Sequence, residues 1–368
     1  MKKTINCLLL LFLALFLSIN KSSTVMAETS MESSVKSCIT EMLQIIDQKG
    51  KENPKFLMSS NPYAYVKDNR GYNNLVNLGP KALPVIQKLI ESGYNEYYLA
   101  IAAEDISQVD LKENFYRWDT AEAFAKTFRE FLGQVPNKVN QIVNSNKTDS
   151  EKNKDISKLG IFSEPYVAEH IKNRKIESSS SLKNLLDIPD DKINELKQLK
   201  EILTEPIVNS NISASKKQED GQISKLNNEG SQVLSLTKPS SYYDKYSWTW
   251  HYAGSATTTY NCLAYALGYT DRKIWPWSSN IPTHAEAISY LRERGYDPQD
   301  GLAPKIIAYG NSNGIVHFSR YIGSSESRAK WGGLELMTHY STDPYYEYDP
   351  NNSNKADQYG KQQIVFWK

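Results

Sequence analysis

Residues 258–268 read TTYNCLAYALG, and this segment indicates how the C-terminal part of the chain folds. Asn261 is a strong helix N-cap residue and directly precedes Cys262. The apolar residues that follow predict a short helix over Cys262–Leu267, which Gly268 would end. The Cys262 thiol is therefore expected in the first helical turn, where the helix dipole and unpaired amides stabilise a thiolate.

A second helix and several strands are predicted after this segment. Thr283 and Glu286 form a capping box for a helix over Ala285–Arg294, and Gly295 would end it. Gly310–Gly314 contains the turn residues of a hairpin between two strands. The predicted strands are Lys305–Tyr309, Ile315–Ile322, Leu334–Tyr340 and Gln363–Trp367. Helices followed by antiparallel strands indicate an α+β fold class.

The N-terminal part has the apolar periodicity of α-helices. Apolar residues at helical spacing over Ser33–Asp47 predict an amphipathic helix that ends near Gly50. A second such helix is expected after Thr120, with Gly133 at its end. Cys38 lies in the first apolar stripe and is interpreted as a small buried hydrophobe. Further helices are predicted over Tyr97–Ile106 and Leu182–Leu203.

A Leu-Gly turn occurs twice in this helical part. Leu78-Gly79 is followed by Pro84, and Leu159-Gly160 is followed by Pro165 at a constant offset of 81 residues. Paired helices that recur with such a turn resemble HEAT-like repeats, which bury a core by stacking. The N-terminal domain is thus expected to be all-α, and either HEAT-like or an irregular helical bundle.

The first residues are typical of a secretory signal peptide over residues 1–27, with basic residues, an apolar core and an exit at Ala27. The apolar core has roughly a dozen residues, fewer than the ~20 of a membrane-spanning helix. The membrane is therefore expected to contact the chain only through the signal peptide before its cleavage. The mature protein is predicted to be secreted, extracellular or associated with the cell wall.

The mature chain is predicted to contain two domains and a linker. Residues 28–206 form the helical domain, and residues 241–368 form the domain with the strands. Residues 207–240 are rich in Ser, Asn, Lys, Gln and Glu, which is the composition of a flexible, solvated linker.

The composition argues against several classes of partner. The chain has 43 basic and 42 acidic residues, and removal of the signal peptide leaves 40 and 42. A nucleic-acid-binding protein would carry a basic excess on one face, so no nucleic acid is expected. The motifs HExxH and CxxC and acidic calcium loops do not occur, so neither a metal nor another cofactor is expected. Cys38 and Cys262 are free thiols or, alternatively, form a disulfide.

Cys262 and His317 are the candidate catalytic residues. A thiolate that attacks an amide needs an imidazole to stabilise it and to protonate the departing amine. His317 lies in a predicted strand, which would hold its ring rigidly beside the helix start, and His339 in the next strand is the candidate to orient that ring. Asn261 and Tyr260 precede the thiol and are candidates for contacts with the substrate and its oxyanion.

Each of these residues also has a structural interpretation. Cys262 is alternatively a buried structural cysteine, and His317 and His339 are alternatively hydrogen-bonded histidines on half-buried strands. His251 is a further candidate for the site histidine. The aromatic residues of the run Tyr242–Tyr252, together with Trp275 and Trp277, either pack in the core or stack on a sugar or peptide.

The order of these residues resembles the NlpC-type papain-like cysteine hydrolases over about residues 241–368. The resemblance rests on a cysteine at a helix start, a histidine on a strand and a polar residue on the next strand. The segment NCLAYALG, the later His-x-x-Arg strand at 317–320 and the Lys-Trp-Gly box at 330–332 are also similar to segments of a set of uncharacterised bacterial domains.

This resemblance implies a papain-like fold with Cys262 as nucleophile, His317 as base and His339 as orienting residue. It also implies a peptide or a peptidoglycan-like substrate. The first hypothesis is therefore a secreted thiol-dependent amidase or peptidase. The second is a non-catalytic exported binding protein, in which a papain-like shell and helical repeats form a recognition surface. The helical domain is in addition a candidate for binding a protein partner.

Overall fold

The computed structural model describes residues 30–94, 96–172, 188–205, 250–342, 347–349, 352–356 and 359–368. The predicted signal peptide and the predicted linker lie outside these ranges. The described N-terminal part is helical, and the C-terminal part combines two short helices with an antiparallel sheet. The α+β class predicted from the sequence is confirmed at this level.

The N-terminal helices follow the apolar stripes in the sequence. The apolar residues of the first stripe are buried except Cys38, which is half-buried and not buried as predicted. The predicted helices over 33–47 and Tyr97–Ile106 are confirmed. Of the helix predicted over Leu182–Leu203, residues 182–187 lie outside the described ranges. The helices are α1 (30–52), α2 (Tyr63–Val66), α3 (Arg70–Asn77), α4 (Leu83–Glu91), α5 (Tyr97–Ser107), α6 (Ala121–Val143), α7 (Asp149–Ser157), α8 (Glu164–Lys172) and α9 (Asp190–Thr204), with 3₁₀ turns at Pro54–Met58, Pro80–Ala82 and Ile161–Ser163.

Helix α6 is longer than its sequence predicts. Thr120 caps its start by accepting a hydrogen bond from the backbone of Ala123 at 3.1 Å, but the predicted end at Gly133 is wrong. The helix continues because Val135 and Val139 extend the same buried stripe. Packing of that stripe outweighs the roughly 1 kcal/mol that a glycine costs inside a helix.

The repeated Leu-Gly turn has the same backbone geometry in both copies. Gly79 has φ 71° and ψ −166°, and Gly160 has φ 67° and ψ −167°. Each glycine precedes a 3₁₀ turn that leads into α4 or α8, and α6 contacts both helices. The sequence repeat therefore corresponds to a structural repeat, because only glycine adopts this backbone region readily.

The C-terminal part starts with strand β1 and two helices, and the main sheet follows. Helix α10 spans Cys262–Leu267 and α11 spans His284–Arg292. The strands are β1 (Trp250–Gly254), β2 (Pro304–Asn311), β3 (Gly314–Gly323), β4 (Glu326–Lys330), β5 (Leu336–Tyr340), β6 (Glu347–Asp349), β7 (Asn352–Ala356) and β8 (Lys361–Trp367). The main sheet has the order β1-β5-β4-β3-β2-β8, and all its neighbours are antiparallel.

Four strands of this sheet agree with the prediction, as does the hairpin turn between β2 and β3, where Asn311 pairs with Gly314. Strands β1 and β4 were not predicted. β4 has the sequence ESRAK, in which only Ala329 is apolar, so its period-2 pattern is weak. Its pairing with β3 and β5 forms the strand, because neighbouring strands supply the backbone hydrogen bonds.

The helical part and the sheet part meet through buried contacts. The backbone N–H of Trp275 donates to the carbonyl of Asp119 at 2.9 Å, and that of Gly333 donates to the carbonyl of Leu57 at 2.6 Å. The Trp275 side chain is only 2% exposed. The two parts therefore share one apolar core in the described residues, and this junction surrounds the start of α10.

Candidate functional site

Asn261 caps α10 as predicted and also joins the two parts of the molecule. Its side-chain oxygen accepts hydrogen bonds from the backbone N–H groups of Ala264 (3.1 Å) and Ile274 (3.2 Å). Its amide nitrogen donates to the carbonyl oxygens of Ser60 (3.1 Å) and Ile274 (2.9 Å). Because the buried side chain is fully engaged, the predicted contact of Asn261 with a substrate would require breaking structural hydrogen bonds.

Cys262 is a buried thiol and not the stabilised thiolate that its sequence position predicts. The residue is 0% exposed. Burial raises its pKa to about 11, and the backbone N–H of Phe318 and the charge of Lys330 offset this only in part. Desolvation of a thiolate thus outweighs the dipole of a helix with only six residues. The thiol would be protonated at neutral pH.

His317 points away from α10. Arg320, three residues further along β3, donates to the carbonyl oxygen of Tyr265 in α10 at 2.7 Å. Phe318 lies on the same face of the strand as Arg320, because side chains alternate between the two faces. The His317 ring is therefore on the opposite face. The structure does not bring Cys262 and His317 together as the proposed catalytic pair.

The structure instead places His317 and His339 in one buried aromatic layer. The ring of His317 stacks on Tyr359 with centroids 3.8 Å apart, and both histidine rings lie 6.0 Å from the ring of Tyr309. Neither ring nitrogen of His317 has a hydrogen-bond partner among the described residues. Burial, and then the proximity of His339, hold the pKa of His317 well below its usual value. His339 Nδ1 lies 2.7 Å from the carbonyl oxygen of Tyr340.

Tyr260 packs at the junction beside Cys262. Its ring centroid lies 5.5 Å from the ammonium of the buried Lys330 and 6.1 Å from the ring of Tyr265. The adjoining cavity, which Tyr260 and Asn261 help to line, has a volume of about 10 Å³. A space of this size holds about one water molecule, so it would not admit the substrate that both residues were predicted to contact.

His251, the alternative site histidine, is exposed on β1. Within the ranges that the structure describes, no group of three His, Cys, Asp or Glu side chains is placed to hold a metal ion. The helices among those residues are also too short or too polar to cross a membrane.

An open cleft of about 500 Å³ lies between the helical part and α11. Its volume falls in the range of about 300–1,000 Å³ that is typical of ligand pockets. Of the residues in its lining, only Trp277 was predicted from the sequence as a candidate for stacking on a ligand. The aromatic residues that line it are Phe115, Tyr116, Trp118, Trp277 and Tyr290.

Four of the charged side chains that line the cleft form two ion pairs. Arg117 lies 2.5 Å from Glu293, and Arg294 lies 2.8 Å from Asp119. The Tyr290 hydroxyl also donates to Asp119 at 2.7 Å, and the Arg294 guanidinium lies 3.6 Å from the centre of the Tyr290 ring. These pairs cross from the helical part to α11 and the residues after it, so they fix the width of the cleft.

A lysine and a glutamate support the floor of the cleft. Lys112 donates to the carbonyl oxygen of Trp277 at 2.7 Å, and its ammonium lies 4.0 Å from the centre of the Trp118 ring. Glu104 accepts from the Trp118 indole at 3.2 Å. Burial lowers the pKa of Lys112 and raises that of Glu104. Both side chains hold Trp118 in a fixed orientation.

Phe115 stands at the rim in an unusual conformation. Its φ is 66°, and its side chain is 95% exposed. The turn is closed by hydrogen bonds from the N–H of Phe115 to the carbonyl of Lys112 (3.1 Å) and from the N–H of Tyr116 to that of Leu111 (2.9 Å). Glycine is the usual residue at such a position. Sequence reasoning missed this residue, although the run NFYRWD at 114–119 carries an aromatic and charged signal.

Comparison with known proteins adds one finding. Residues 251–366 match the model of a family described as a domain of unknown function, DUF7689. No curated protein and no solved structure matches the chain. The papain-like fold and the hydrolase activity that the sequence resemblance implies therefore stay predictions, and the chain is similar over residues 251–366 to a domain family whose description names no function.

Proposed function

We propose that this is an exported, non-catalytic binding protein, and that the cleft between its helical part and α11 is the recognition surface. Export is inferred from the signal-peptide pattern of residues 1–27. The observation that carries the proposal is the burial of the Cys262 thiol on the face of the sheet opposite His317. Among the described residues, an open cleft with aromatic lining lies away from Cys262, between the helical part and α11.

Thiol catalysis would require both residues to differ from their observed state. A nucleophilic cysteine needs a lowered pKa and access to the substrate, but the pKa of Cys262 is raised to about 11 by burial. A general base must reach the proton that it removes, but His317 is buried on the other face of β3. The second of the two sequence hypotheses, a binding protein, is therefore better supported by this geometry.

The proposal is tested by the reactivity of Cys262 in the mature protein. Cys38→Ala leaves Cys262 as the cysteine of the mature chain, so iodoacetamide labelling reports on it alone. We expect negligible labelling of the native protein at pH 6 and pH 8, and complete labelling in denaturant, because the thiol is buried and protonated. Mass spectrometry of the intact protein measures both.

The opposite result would favour the hydrolase. Rapid labelling at pH 6 that disappears in His317→Ala would indicate a thiolate activated by the imidazole. Cys262→Ser in the same background controls for reaction at other side chains. Incubation with muropeptides and a mixed peptide library, read by mass spectrometry, should leave both substrates intact.

A further inference from the structure

Phe115 combines two unfavourable features, a left-handed backbone conformation and an exposed apolar ring. A left-handed backbone costs roughly 1–2 kcal/mol for a residue other than glycine, and exposure leaves a large apolar ring in water. Its φ of 66° and 95% exposure show both features at one residue. Residues with such a strained backbone conformation cluster at active sites and ligand-binding sites.

The other rings of the cleft are held rigidly below Phe115. Trp118 and Trp277 are only 2% and 9% exposed, so they form a floor whose edges and faces are fixed by packing. Trp277 packs against Tyr290, with centroids 5.6 Å apart, and stacks on Phe318 at 5.9 Å. A rigid floor and an exposed ring at the rim form a site that can hold a flat ligand by stacking.

The charges of the cleft select against a charged ligand. The lining has three basic side chains, Lys112, Arg117 and Arg294, and three acidic ones, Asp119, Glu286 and Glu293, so its formal charge cancels. Glu286 is already engaged in capping α11, where it accepts from the Thr283 backbone at 2.7 Å. A charged ligand would meet both signs of charge in this lining, so its attraction to one member of each pair would be offset by repulsion from the other member.

The side chains of these ion pairs can also form hydrogen bonds with the hydroxyl groups of a ligand. Carboxylate oxygens accept more than one hydrogen bond, and a guanidinium has five N–H donors, so each ion pair retains free capacity. A hydroxyl both donates and accepts, and it can therefore bridge the two members of a pair without separating them. The Arg117 side chain is 81% exposed and its partner Glu293 is 48% exposed, so both are accessible to a ligand.

We propose that the cleft binds a neutral saccharide, with one sugar face stacked on Phe115 and its hydroxyls bonded to the Arg117–Glu293 and Arg294–Asp119 pairs. This assignment rests on the proposed binding function and names its ligand class. A proline-rich peptide, which also docks on aromatic grooves, is the alternative occupant. It is less well matched because its side chains offer no hydroxyls to the ion pairs.

The test titrates the mature full-length protein with cellotetraose, maltotetraose and chitotetraose while tryptophan fluorescence reports on the floor of the cleft. Tetragalacturonate, a charged tetrasaccharide, and a proline-rich peptide are the comparison probes. We expect at least one neutral saccharide to bind and tetragalacturonate not to bind. Phe115→Gly should weaken binding by about two- to twelvefold, because the stacking interaction of the ring is lost.

Phe115→Gly removes the aromatic ring without disturbing the fold, because glycine readily adopts a φ of 66°, and the fold should be retained or stabilised. Phe115→Trp should preserve binding by supplying another ring. Leu302→Gly is the matched control, since it removes another exposed apolar side chain, 98% accessible and outside the cleft lining. Circular dichroism and the unfolding temperature confirm that each variant is folded.

The outcomes separate the saccharide assignment from the binding function. Saccharide binding that Phe115→Gly leaves unchanged would overturn the site. Binding of the peptide or of tetragalacturonate alone, weakened by Phe115→Gly, would overturn the ligand class and leave the binding function standing. If no probe binds, the assignment of a saccharide ligand is overturned. A reactive thiol whose labelling depends on His317 would overturn the binding function as well.

Discussion

His317 is a neutral base enclosed in the sheet. The imidazole is 0% exposed and lies between aromatic rings, so a proton on it would be a desolvated charge. The neighbouring His339 adds to this effect, since a charge on one ring opposes a charge on the other. The pKa of His317 in the folded protein is therefore lowered, whereas an unfolded histidine has a pKa near about 6.5.

This difference makes stability depend on pH. Between pH 6.5 and the lowered folded pKa, the unfolded chain binds a proton that the folded chain does not, so acidification favours unfolding. Below about pH 6.5, we expect His317 to lower the free energy of unfolding by about 1.4 kcal/mol for each unit by which the pH falls. His317→Gln, which cannot be protonated, should show a shallower decline.

Urea unfolding at pH 7, 6 and 5 measures that decline in the wild type and in His317→Gln. The comparison uses the slope of unfolding free energy against pH, which a constant loss of stability in the variant does not change. If His317→Gln is unfolded, His317→Asn takes its place. His251→Gln is the control, because His251 is exposed and its removal should leave the slope unchanged. Equal slopes for all three proteins would contradict the expected role of His317.

At the level of elements, the two Leu-Gly turns position α4 and α8 in the same way but have different surroundings. A Cβ on Gly79 would meet no atom within 4 Å, whereas a Cβ on Gly160 would lie 2.3 Å from the carbonyl oxygen of Ser107. Both glycines have a backbone conformation that other residues adopt at high cost. Gly160 therefore has a second requirement, which is close packing against the end of α5.

Alanine substitutions separate these two requirements. Gly79→Ala should lower the unfolding free energy by about 1–3 kcal/mol through backbone strain alone. Gly160→Ala should lower it further, because the backbone near Ser107 must also move. Urea unfolding of both variants gives the comparison. If Gly79→Ala proved the more damaging change, the clash at Gly160 would not be the deciding factor.

For the whole molecule, the contact between the helical part and the sheet part decides how it unfolds. Lys273, which follows α10, is only 4% exposed and pairs with Glu96 before α5 at 2.9 Å. Its ammonium also lies 4.6 Å from the centre of the Tyr98 ring. A buried lysine needs this partner, because an unpaired charge in the interior is costly.

We expect the mature protein to unfold in a single transition. Glu96→Gln should lower its free energy of unfolding by about 2–4 kcal/mol, because Lys273 loses its partner. Far-ultraviolet circular dichroism follows the helices, and tryptophan fluorescence follows the junction. Asp155→Asn, which removes an accessible ion pair with Lys147, should produce a much smaller change. Two separate transitions would instead indicate that the parts fold as the independent domains predicted from residues 28–206 and 241–368.

Much of the fold was predictable because local signals determine it. The Asn261 cap, the capping box of Thr283 and Glu286 and the turn after β2 each depend on residues within a few positions. The end of α6 and the strand β4 were not predictable in this way. Packing extended α6 through Gly133, and pairing with its neighbours formed β4 from a polar segment.

The candidate site depended on long-range contacts far more than the fold did. Residues close to Cys262 and His317 in the chain are sufficient to place Cys262 at a helix start and His317 on a strand, because helix caps and strand patterns act between near neighbours. The burial of the thiol and the position of the imidazole on the other face of the sheet follow only from the folded chain. The folded chain also brings Phe115 to the same cleft as Trp277, since the shape of the cleft depends on residues more than a hundred positions apart.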